Sequence, residues 1–359
     1  MRNHYDIVIV GGGVIGLTIA RALALHGVRD VCLVERGNIG TEASWAAAGM
    51  LLPQVEADAA DEFFNLACQS RDLYPGFAAA LREETGIDVE LDTSGTLYLA
   101  LTEHDYEEIE KRYEWQTGAG LSVERLSGDE ARKLEPSISG STLAALRFPK
   151  DIQVENRRLL TALANSVKKF SVDIATETSV AAVLLEGNRV RGVQTSRGAI
   201  SCSTVVIAAG TWSSFIKTSP QSPIPTIEPV RGQMVCLAAK PQLTRHVLYS
   251  PRGYLVPRQD GRLLAGSTSE NAGFAKCVTA GGIATILRNT LDISPGVADL
   301  PVVDTWAGLR PRAADGLPVL GPCGEIDGLF CATGHYRNGI LLAPLTGELI
   351  SKAIISSQR

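Results

Sequence analysis

A glycine-rich turn near the start of the chain most constrains its fold. Residues 6–16 read DIVIVGGGVIG, so four apolar residues stand directly before the glycines. Those apolar residues predict a buried strand, and the helix-forming run at 17–26 predicts an α-helix. Gly11 can form the tight turn, Gly13 lets the backbone approach a pyrophosphate, and Gly16 lets the helix pack closely on the strand.

An acidic residue completes this unit. Glu35 ends the next apolar run, 24 residues after Gly11, where a carboxylate can accept hydrogen bonds from ribose hydroxyls. A glycine pattern alone is weak evidence, because it also forms structural turns that hold no ligand. This one follows a predicted strand and opens a helix whose N-terminus favours phosphates. We therefore interpret it as an adenine dinucleotide site.

The overall composition argues against several other functions. The net charge of −5 is spread along the chain without a basic run, so no nucleic-acid partner is expected. Apolar runs are short and interrupted by Gly or Pro, which predicts no membrane span, and the N-terminus enters a strand at once, leaving no room for a signal peptide. Seven scattered cysteines without a CxxC pattern indicate reduced thiols in a cytoplasmic protein and no metal site.

Segments with two different residue patterns alternate along the chain. Residues 1–53, 151–215 and 306–359 carry buried-strand and glycine-turn patterns, which predict a discontinuous Rossmann-like α/β domain for the dinucleotide. Residues 54–150 and 216–305 combine charged helices with short strand-like runs, which predict an interleaved α+β substrate domain with an antiparallel sheet. The ligand site is expected in the crevice between the two domains.

Two further regions favour FAD over NAD. Residues 40–50 form a run of small residues that can lie flat against an extended cofactor, although a plain loop is the alternative interpretation. In residues 333–344, Pro344 is tolerated only within a first helical turn, so a helix is predicted to begin near 339–343. The N-terminus of that helix would point at the pyrimidine edge of an isoalloxazine, which becomes negative when a flavin is reduced.

With these motifs the chain resembles the FAD-dependent D-amino-acid oxidase family, and within it the glycine oxidases of thiamine biosynthesis. The resemblance covers essentially the whole chain. Besides the dinucleotide unit, its carriers are SWAAAGM at 44–50, YLVPR at 254–258, WAGLRP at 306–311 and GHYRNGI at 334–340. The last two segments, in this order, are the most specific. The resemblance implies the D-amino-acid oxidase fold and a small amino-acid substrate.

The resemblance also implies the residues that contact FAD. They comprise the turn glycines, the pyrophosphate and adenosine contacts, the lining of the ribityl chain and ring, and a cradle for the flavin pyrimidine: Gly11, Gly13, Gly16, Val14, Ile15, Glu35, Arg36, Val180, Ala43, Ser44, Ala48, Gly49, Met50, His335, Tyr336, Arg337, Asn338, Gly339, Ile340 and Leu341. Some relatives attach FAD through a cysteine in the region that matches Arg310. This chain has no cysteine there, so non-covalent FAD is predicted.

Four residues are predicted at the substrate. Arg310 follows an apolar run, and its guanidinium can hold a carboxylate through two parallel hydrogen bonds. The resemblance implies that Arg310 and Tyr254 bind the carboxylate of an amino acid. It places Arg337 as a second arginine near the flavin, with a flavin-side ion pair as the alternative. Ser269 falls where a glycine oxidase has a bulkier methionine, which predicts a wider or more polar pocket.

These residues imply a mechanism without an acid or base from the protein. An amino acid bound with a neutral amine can transfer a hydride from its α-carbon to flavin N5, and proximity supplies most of the acceleration. The imine then hydrolyses to a 2-oxo acid and ammonia or passes to thiazole synthesis, and dioxygen reoxidises the flavin to give hydrogen peroxide. The predicted enzyme is a glycine oxidase.

Other functions remain open at this point. A sarcosine or D-amino-acid oxidase of the same fold shares the framework, and so does a dehydrogenase that passes electrons to a quinone or carrier protein. A flavin- or nucleotide-binding regulatory module is a third possibility, but it has no need of the three retained substrate residues. A nicotinamide dehydrogenase leaves residues 46–50 and 335–340 unexplained. The resemblance also predicts a homo-oligomer.

Overall fold

The computed structural model describes residues 2–218 and 223–357. The strands are β1 (Ile7–Val10), β2 (Val31–Val34), β3 (Met50–Leu51), β4 (Thr96–Ala100), β5 (Glu124–Ser127), β6 (Ala144–Phe148), β7 (Ile152–Gln153), β8 (Asp173–Ala175), β9 (Val180–Glu186), β10 (Arg189–Thr195), β11 (Gly198–Ser201), β12 (Thr204–Ile207), β13 (Glu228–Ala238), β14 (Val247–Ser250), β15 (Gly253–Pro257), β16 (Arg262–Gly266), β17 (Val302–Arg312), β18 (Val319–Pro322) and β19 (Leu329–Thr333). The helices are α1 (Val14–Leu25), α2 (Ala43–Ala46), α3 (Pro53–Glu56), α4 (Glu62–Thr85), α5 (Glu103–Gly118), α6 (Gly128–Leu134), α7 (Asn156–Lys169), α8 (Ala280–Ile293) and α9 (Gly339–Ser357), with 3₁₀ turns at Gly210–Phe215 and Pro295–Asp299.

The first sheet forms the dinucleotide-type layer. Its six strands run in the order β18-β19-β12-β1-β2-β8 and are parallel except for β18. The apolar strand β1 is buried on both faces, as expected for a parallel strand covered by further layers. Helices α1, α7 and α9 pack together in the core on one face, and the antiparallel sheet β11-β10-β9 shares the core on the other.

The second sheet has eight strands in the order β17-β13-β16-β15-β14-β4-β6-β5. Residues of α5 pack against one of its faces, on which Tyr98, Met234 and Tyr254 lie. Residues of α8 pack against the other face. The predicted antiparallel sheet needs one correction: β4 and β14 are parallel, because they come from two separate segments of the chain and no hairpin joins them. The Rossmann-like layer and the interleaved second sheet otherwise have the predicted form.

One predicted boundary falls inside a strand. Position 306 was expected to begin the last segment of the dinucleotide domain, but β17 runs through it and pairs with β13 along its length. Sheet membership changes only after Arg312, at the end of β17. The long pairing with β13 explains the difference, because β17 completes the edge of the eight-stranded sheet before the chain returns to β18 and β19.

Helix α9 begins at Gly339, as predicted, but Pro344 lies in its second turn and not in its first. A proline there removes the hydrogen bond that the carbonyl oxygen of Ile340 would accept. The hydroxyl of Tyr74 on α4 donates to that oxygen instead, and Ser70 Oγ donates to the carbonyl of Leu341 at 2.7 Å. Side chains of α4 therefore satisfy the backbone that the proline interrupts.

The same helix is long and apolar enough to cross a membrane by length and composition, alone among the helices of residues 2–218 and 223–357. More than half of its apolar window is buried inside the protein. It packs against α1 and α4, so its apolar side chains form part of the protein core.

Candidate active site

A cavity of about 480 Å³ lies between the two large sheets. Residues at the carboxyl ends of β1, β2, β12 and β19 line one side, and residues of β13, β15 and β17 line the other. Ligands of open α/β sheets bind outside the carboxyl ends of the strands, and this volume is in the range of small-molecule sites. The fold therefore places a single continuous site where the sequence predicted the crevice.

Most of the predicted contact residues line this cavity, and three do not. Gly16 lies behind it, and a Cβ there would come within 3.0 Å of the carbonyl oxygen of Gly11, so its role is the close packing of α1 on β1. Leu341 is buried in the core. Ser269 is exposed and lies outside the cavity lining, so the structure does not bring it to the substrate end as predicted.

The glycine turn has the shape that a pyrophosphate requires. Gly11 has a φ of +116°, and a Cβ there would lie within 3.0 Å of the Ala208 backbone. Helix α1 starts after Gly13 with no side-chain cap from that residue and no acidic residue in its first turn. The N–H of Val14 donates to Ser44 Oγ at 3.1 Å. The positive end of α1 is therefore open to an anion on the cavity side.

The adenosine end is built around Glu35. Its carboxylate accepts from the N–H of Gly12 at 2.7 Å and from the N–H of Gly37 at 2.9 Å, which fixes it at the end of β2. Beside it, the Arg36 guanidinium lies 3.5 Å from the ring centroid of Trp212 and also pairs with Glu42 at 2.7 Å. A fixed carboxylate suits ribose hydroxyls, and the arginine–indole stack forms a flat wall for an aromatic ring.

The small-residue segment 44–50 is held from outside the cavity. Asn156 Nδ2 donates to the carbonyl of Ser44 at 2.8 Å, and Trp306 Nε1 donates to the carbonyl of Ala46 at 3.0 Å. Arg258 is buried and donates to the carbonyl of Ala48 at 2.7 Å. Burial among neutral partners lowers the pKa of Arg258 to about 10, so it stays charged at neutral pH. Carbonyls of this segment thus face the protein, and its small side chains line the cavity.

The loop before α9 forms the opposite wall. Gly334 and Tyr336 both have positive φ, +76° and +47°, and the N–H of Tyr336 donates to the carbonyl of Pro311 at 2.8 Å. His335 is buried, with its Nε2 3.1 Å from Thr346 Oγ1 on α9. Burial lowers the pKa of His335 to about 3, so its side chain is neutral and acts as a structural anchor for the loop.

Arg310 lies at the substrate end with neutral partners. It stands on β17 and pairs in register with Val230 on β13. Its Nη2 donates to Ser267 Oγ at 2.8 Å, and its Nη1 donates to the carbonyl of Thr268 at 3.1 Å. These partners hold the guanidinium without neutralising it. Its positive charge is therefore available to a bound anion.

Tyr254 lies on β15 beside this position and is buried. Its hydroxyl is 3.3 Å from Met234 Sδ, a weak acceptor that leaves the hydroxyl available to a ligand. Behind it, Tyr249 stacks between the rings of Tyr254 and Tyr98, at centroid distances of 6.4 and 5.4 Å. Burial raises the pKa of Tyr249 above its ordinary value, so a neutral ring packs behind Tyr254.

Arg337 also lines the cavity, but it already has a charged partner. Its Nη2 is 2.7 Å from Glu56 Oε1, and its Nε donates to the same oxygen at 3.2 Å. The carboxylate beside it raises the pKa of Arg337 further. This arrangement supports the alternative interpretation of Arg337 as one partner of an ion pair.

The residues fit a flavin dinucleotide. An open helix N-terminus and a turn that excludes side chains suit a pyrophosphate, Glu35 suits a ribose, and residues of the segments 44–50 and 334–340 line the same cavity, where a ring can lie between them. Among the described residues that line the cavity, none is a cysteine, and non-covalent attachment of FAD stays a prediction. Fold and site together define a dinucleotide-dependent oxidoreductase.

Comparison with known proteins identifies the class. The family described as FAD dependent oxidoreductase matches residues 6–353, and the chain belongs to this family. It is 37% identical over 356 residues to the glycine oxidase of Geobacillus kaustophilus, and the alignment covers 99% of this chain and 94% of that relative. A crystal structure of glycine oxidase from Bacillus cereus matches with a TM-score of 0.93 and 37% identity, over 99% of this chain and 96% of that one.

A third relative extends beyond this chain. The bifunctional protein ThiO/ThiG of Synechocystis is 34% identical over 363 residues, covering 100% of this chain and 53% of the relative. The predicted family, its fold and its FAD dependence are thus confirmed. The individual site residues are placed by the geometry described above, and their roles remain predictions.

Sequence reasoning missed several residues of the site. Three of them contact the predicted residues from distant segments of the chain: Glu56, Met234 and Ser267. No local sequence pattern indicates that these three lie at the site. Gly232 and Gly308 carried a usable signal, since a glycine inside a strand often marks a close approach of another group. A Cβ at Gly232 would come within 3.0 Å of the Arg310 guanidinium, and one at Gly308 would come within 3.0 Å of the Ala46 side chain.

Proposed function

We propose that this enzyme oxidises glycine with dioxygen as the electron acceptor. Glycine, water and dioxygen would give glyoxylate, ammonia and hydrogen peroxide. The observation that carries the proposal is Arg310, a guanidinium at the cavity whose partners are the hydroxyl of Ser267 and the carbonyl of Thr268. A substrate carboxylate can supply the missing negative charge through two parallel hydrogen bonds. The glycine oxidases among the relatives support the same substrate.

The residues of the chain would act by positioning. Arg310 binds the carboxylate, and the hydroxyl of Tyr254 donates to it as well. Apolar groups of Met234 and of the small residues near Ala48 line the same cavity and would limit the access of water to the substrate. Bound FAD supplies the acceptor for the hydride that leaves this carbon. Holding the two reacting centres together supplies much of the rate acceleration.

Among the residues that the structure describes, no group at the substrate end is arranged as a base. Glu56 is paired with Arg337, and His335 is buried against Thr346 and points away into α9. The substrate is therefore proposed to bind with its amine neutral, so that loss of a hydride from the α-carbon gives the iminium ion, which loses a proton to water to give the imine. Hydrolysis of the imine to glyoxylate and ammonia needs only water.

The biological setting is proposed from the relatives. The ThiO/ThiG protein joins a segment similar to this chain with a second one in a single polypeptide, which supports a role in thiazole synthesis for thiamine. We also propose that the protein works in the cytoplasm as a homo-oligomer with non-covalent FAD.

The test is the absorption spectrum of the purified protein before and after adding glycine without oxygen. Oxidised flavin bands that bleach with glycine, and return with stoichiometric peroxide when air is admitted, are expected. Bleaching with sarcosine or a D-amino acid but not with glycine would assign the enzyme to those substrates. Reduction by glycine without reoxidation by air would make it a dehydrogenase. Either result would overturn the proposal.

A further inference from the structure

Three arginines line the cavity, and one of them, Arg36, pairs with Glu42 at the adenosine end. The other two, Arg310 and Arg337, differ in the partners that the protein gives to their charges. Arg310 is bonded to a hydroxyl and a backbone carbonyl. Arg337 gives two hydrogen bonds to one carboxylate oxygen of Glu56, which also lines the cavity. Of these two arginines, Arg310 therefore presents a free positive charge to the cavity, whereas the charge of Arg337 is neutralised from within the protein.

The neutralising carboxylate is held by a buried network. Glu56 ends α3, and the N–H of Val55 beside it donates to Asp151 Oδ2 at 2.8 Å. Asp151 is fully buried and pairs with the buried Arg71 at 3.2 Å. Glu56 is thus attached to a short helix that is anchored in the core, and its side chain is only 22% exposed.

Arg337 is held from its own side as well. It follows Tyr336, whose N–H donates to the carbonyl of Pro311, and the N–H of Asn338 donates to the carbonyl of His335 at 2.8 Å. The two backbones that carry the pair are therefore both fixed. The pair therefore lies between two fixed stretches of backbone, unlike a surface ion pair between two mobile side chains.

We propose that Glu56 determines substrate specificity by occupying Arg337, so that the cavity accepts ligands with one carboxylate and discriminates against those with two. The inference rests on the proposed function, since it takes Arg310 as the carboxylate site. A second carboxylate near Arg337 would have to displace Glu56 and would meet its negative charge. Without Glu56, the second guanidinium would bind that group.

The experiment measures binding of non-reactive ligands to the FAD-loaded holoenzyme. Acetate reports on the single-carboxylate site, and malonate, succinate and glutarate carry a second carboxylate at increasing distances. Dissociation constants are obtained by calorimetry and by the perturbation of the flavin spectrum. In the wild type, no dicarboxylate is expected to bind tighter than acetate. In Glu56→Gln, at least one of them is expected to gain about tenfold relative to acetate.

A second pair of variants separates charge from structure. The gain should disappear in Glu56→Gln combined with Arg337→Met, because the released guanidinium is then absent. Arg337→Met alone leaves Glu56 unpaired and should weaken acetate binding, and the double variant should restore it. This restoration is not expected if the pair only supports the fold.

The matched control is Glu62→Gln. Glu62 is exposed in the first turn of α4, and the substitution removes the same charge six residues further along the chain without touching Arg337. Its ratio of dicarboxylate to acetate affinity should equal that of the wild type.

Two results would overturn the inference: an unchanged ratio for all three dicarboxylates in Glu56→Gln, or a gain that persists without Arg337. Because the ligands are not oxidised, the ratio can be read whether or not glycine reduces the flavin. Failure of glycine to reduce the wild type would overturn the proposed function alone.

Discussion

The guanidinium of Arg310 lies directly over Gly232 on the neighbouring strand. A Cβ at residue 232 would come within 3.0 Å of Nη1, Nη2 and Cζ of Arg310, closer than real Cβ atoms approach other atoms. Strands β13 and β17 are paired at this point, so the backbone cannot easily move away. Because glycine has no side chain, residue 232 lets the Arg310 guanidinium, whose two Nη atoms form a fork, lie close to the sheet.

Gly232→Ala is expected to displace this fork. The KM for glycine should rise about tenfold or more, because a tilted guanidinium loses one of two parallel hydrogen bonds to the carboxylate. The FAD content should stay near that of the wild type. The matched control is Gly76→Ala in α4, where a Cβ would meet no atom within 4 Å. An unchanged KM in Gly232→Ala would show that the fork is not set by residue 232.

Arg310→Lys keeps the charge and removes the planar fork. We expect the KM for glycine to rise by about 10- to 100-fold, because an ammonium holds a carboxylate at one point and leaves its rotation free. Steady-state kinetics and the spectral change on acetate binding measure the effect. The control is Arg312→Lys, two residues along on the same strand, which pairs with Glu228 outside the cavity. A KM close to that of the wild type would remove Arg310 from the substrate site.

Thr268 connects Arg310 to a charged network behind it. Its Oγ1 accepts from the N–H of Gln233 at 2.9 Å and donates to Glu270 at 2.5 Å, and Glu270 pairs with Arg231 at 2.5 Å. The hydroxyl thus orients the carbonyl of Thr268 that receives Arg310.

Thr268→Val should raise the KM for glycine severalfold and change kcat less, since the N–H of Gln233 loses its acceptor and the carboxylate of Glu270 loses a donor. Thr268→Ser keeps the hydroxyl and should restore the KM. Equal kinetics in the two variants would contradict a positioning role for the hydroxyl.

The dinucleotide unit could be predicted from sequence because its spacing is local. A strand, a glycine turn, a helix and Glu35 lie within about 30 residues, and each carries its own backbone requirement. The Arg310 and Arg337 motifs could be recognised only by resemblance. Glu56 could not be found in either way, because its partner Arg337 is 281 residues away in sequence and an isolated glutamate on a short helix has no distinguishing pattern.

The predictions that differ from the structure also have physical causes. Ser267 and Ser269 are two residues apart in one loop. Ser267 contacts Arg310, whereas Ser269 is exposed to solvent. The contact of Glu270 with Arg231 fixes the end of this loop. The prediction of Pro344 in a first helical turn rests on the hydrogen bonds within the helix alone. In the structure, the hydroxyl of Tyr74 on α4 donates to the carbonyl oxygen of Ile340, which Pro344 leaves without a donor, so the proline is tolerated in the second turn.

Tyr74→Phe tests this contribution to stability. The hydroxyl of Tyr74 is fully buried with the carbonyl of Ile340 as its acceptor, so its removal leaves that carbonyl without a donor. The free energy of unfolding should fall by about 1–3 kcal/mol, which lowers Tm by about 1–4 °C in a chain of this size. Tyr113→Phe is the control, since no hydrogen bond to the Tyr113 hydroxyl is found among the described residues. An unchanged Tm in Tyr74→Phe would mean that water replaces the lost donor.

His335 gives the protein a stability that depends on pH in a known direction. Burial lowers its pKa to about 3 in the folded protein, against about 6.5 in the unfolded chain. Between these values the unfolded state holds more protons, so the free energy of unfolding falls as the pH drops below about 6.5, by about 1.4 kcal/mol per pH unit. Burial raises the pKa of Asp151 to about 7, which makes the free energy of unfolding depend on pH with the opposite sign. The contribution of His335 must therefore be measured as a difference between two variants.

Urea unfolding of the wild type and of His335→Gln between pH 6 and pH 5 gives this difference. Relative to His335→Gln, the wild type should lose stability at the rate given above, whereas His104→Gln, at an exposed position on α5, should follow the wild type. Parallel curves for the wild type and His335→Gln would show that folding does not lower the pKa of His335 and would contradict this prediction.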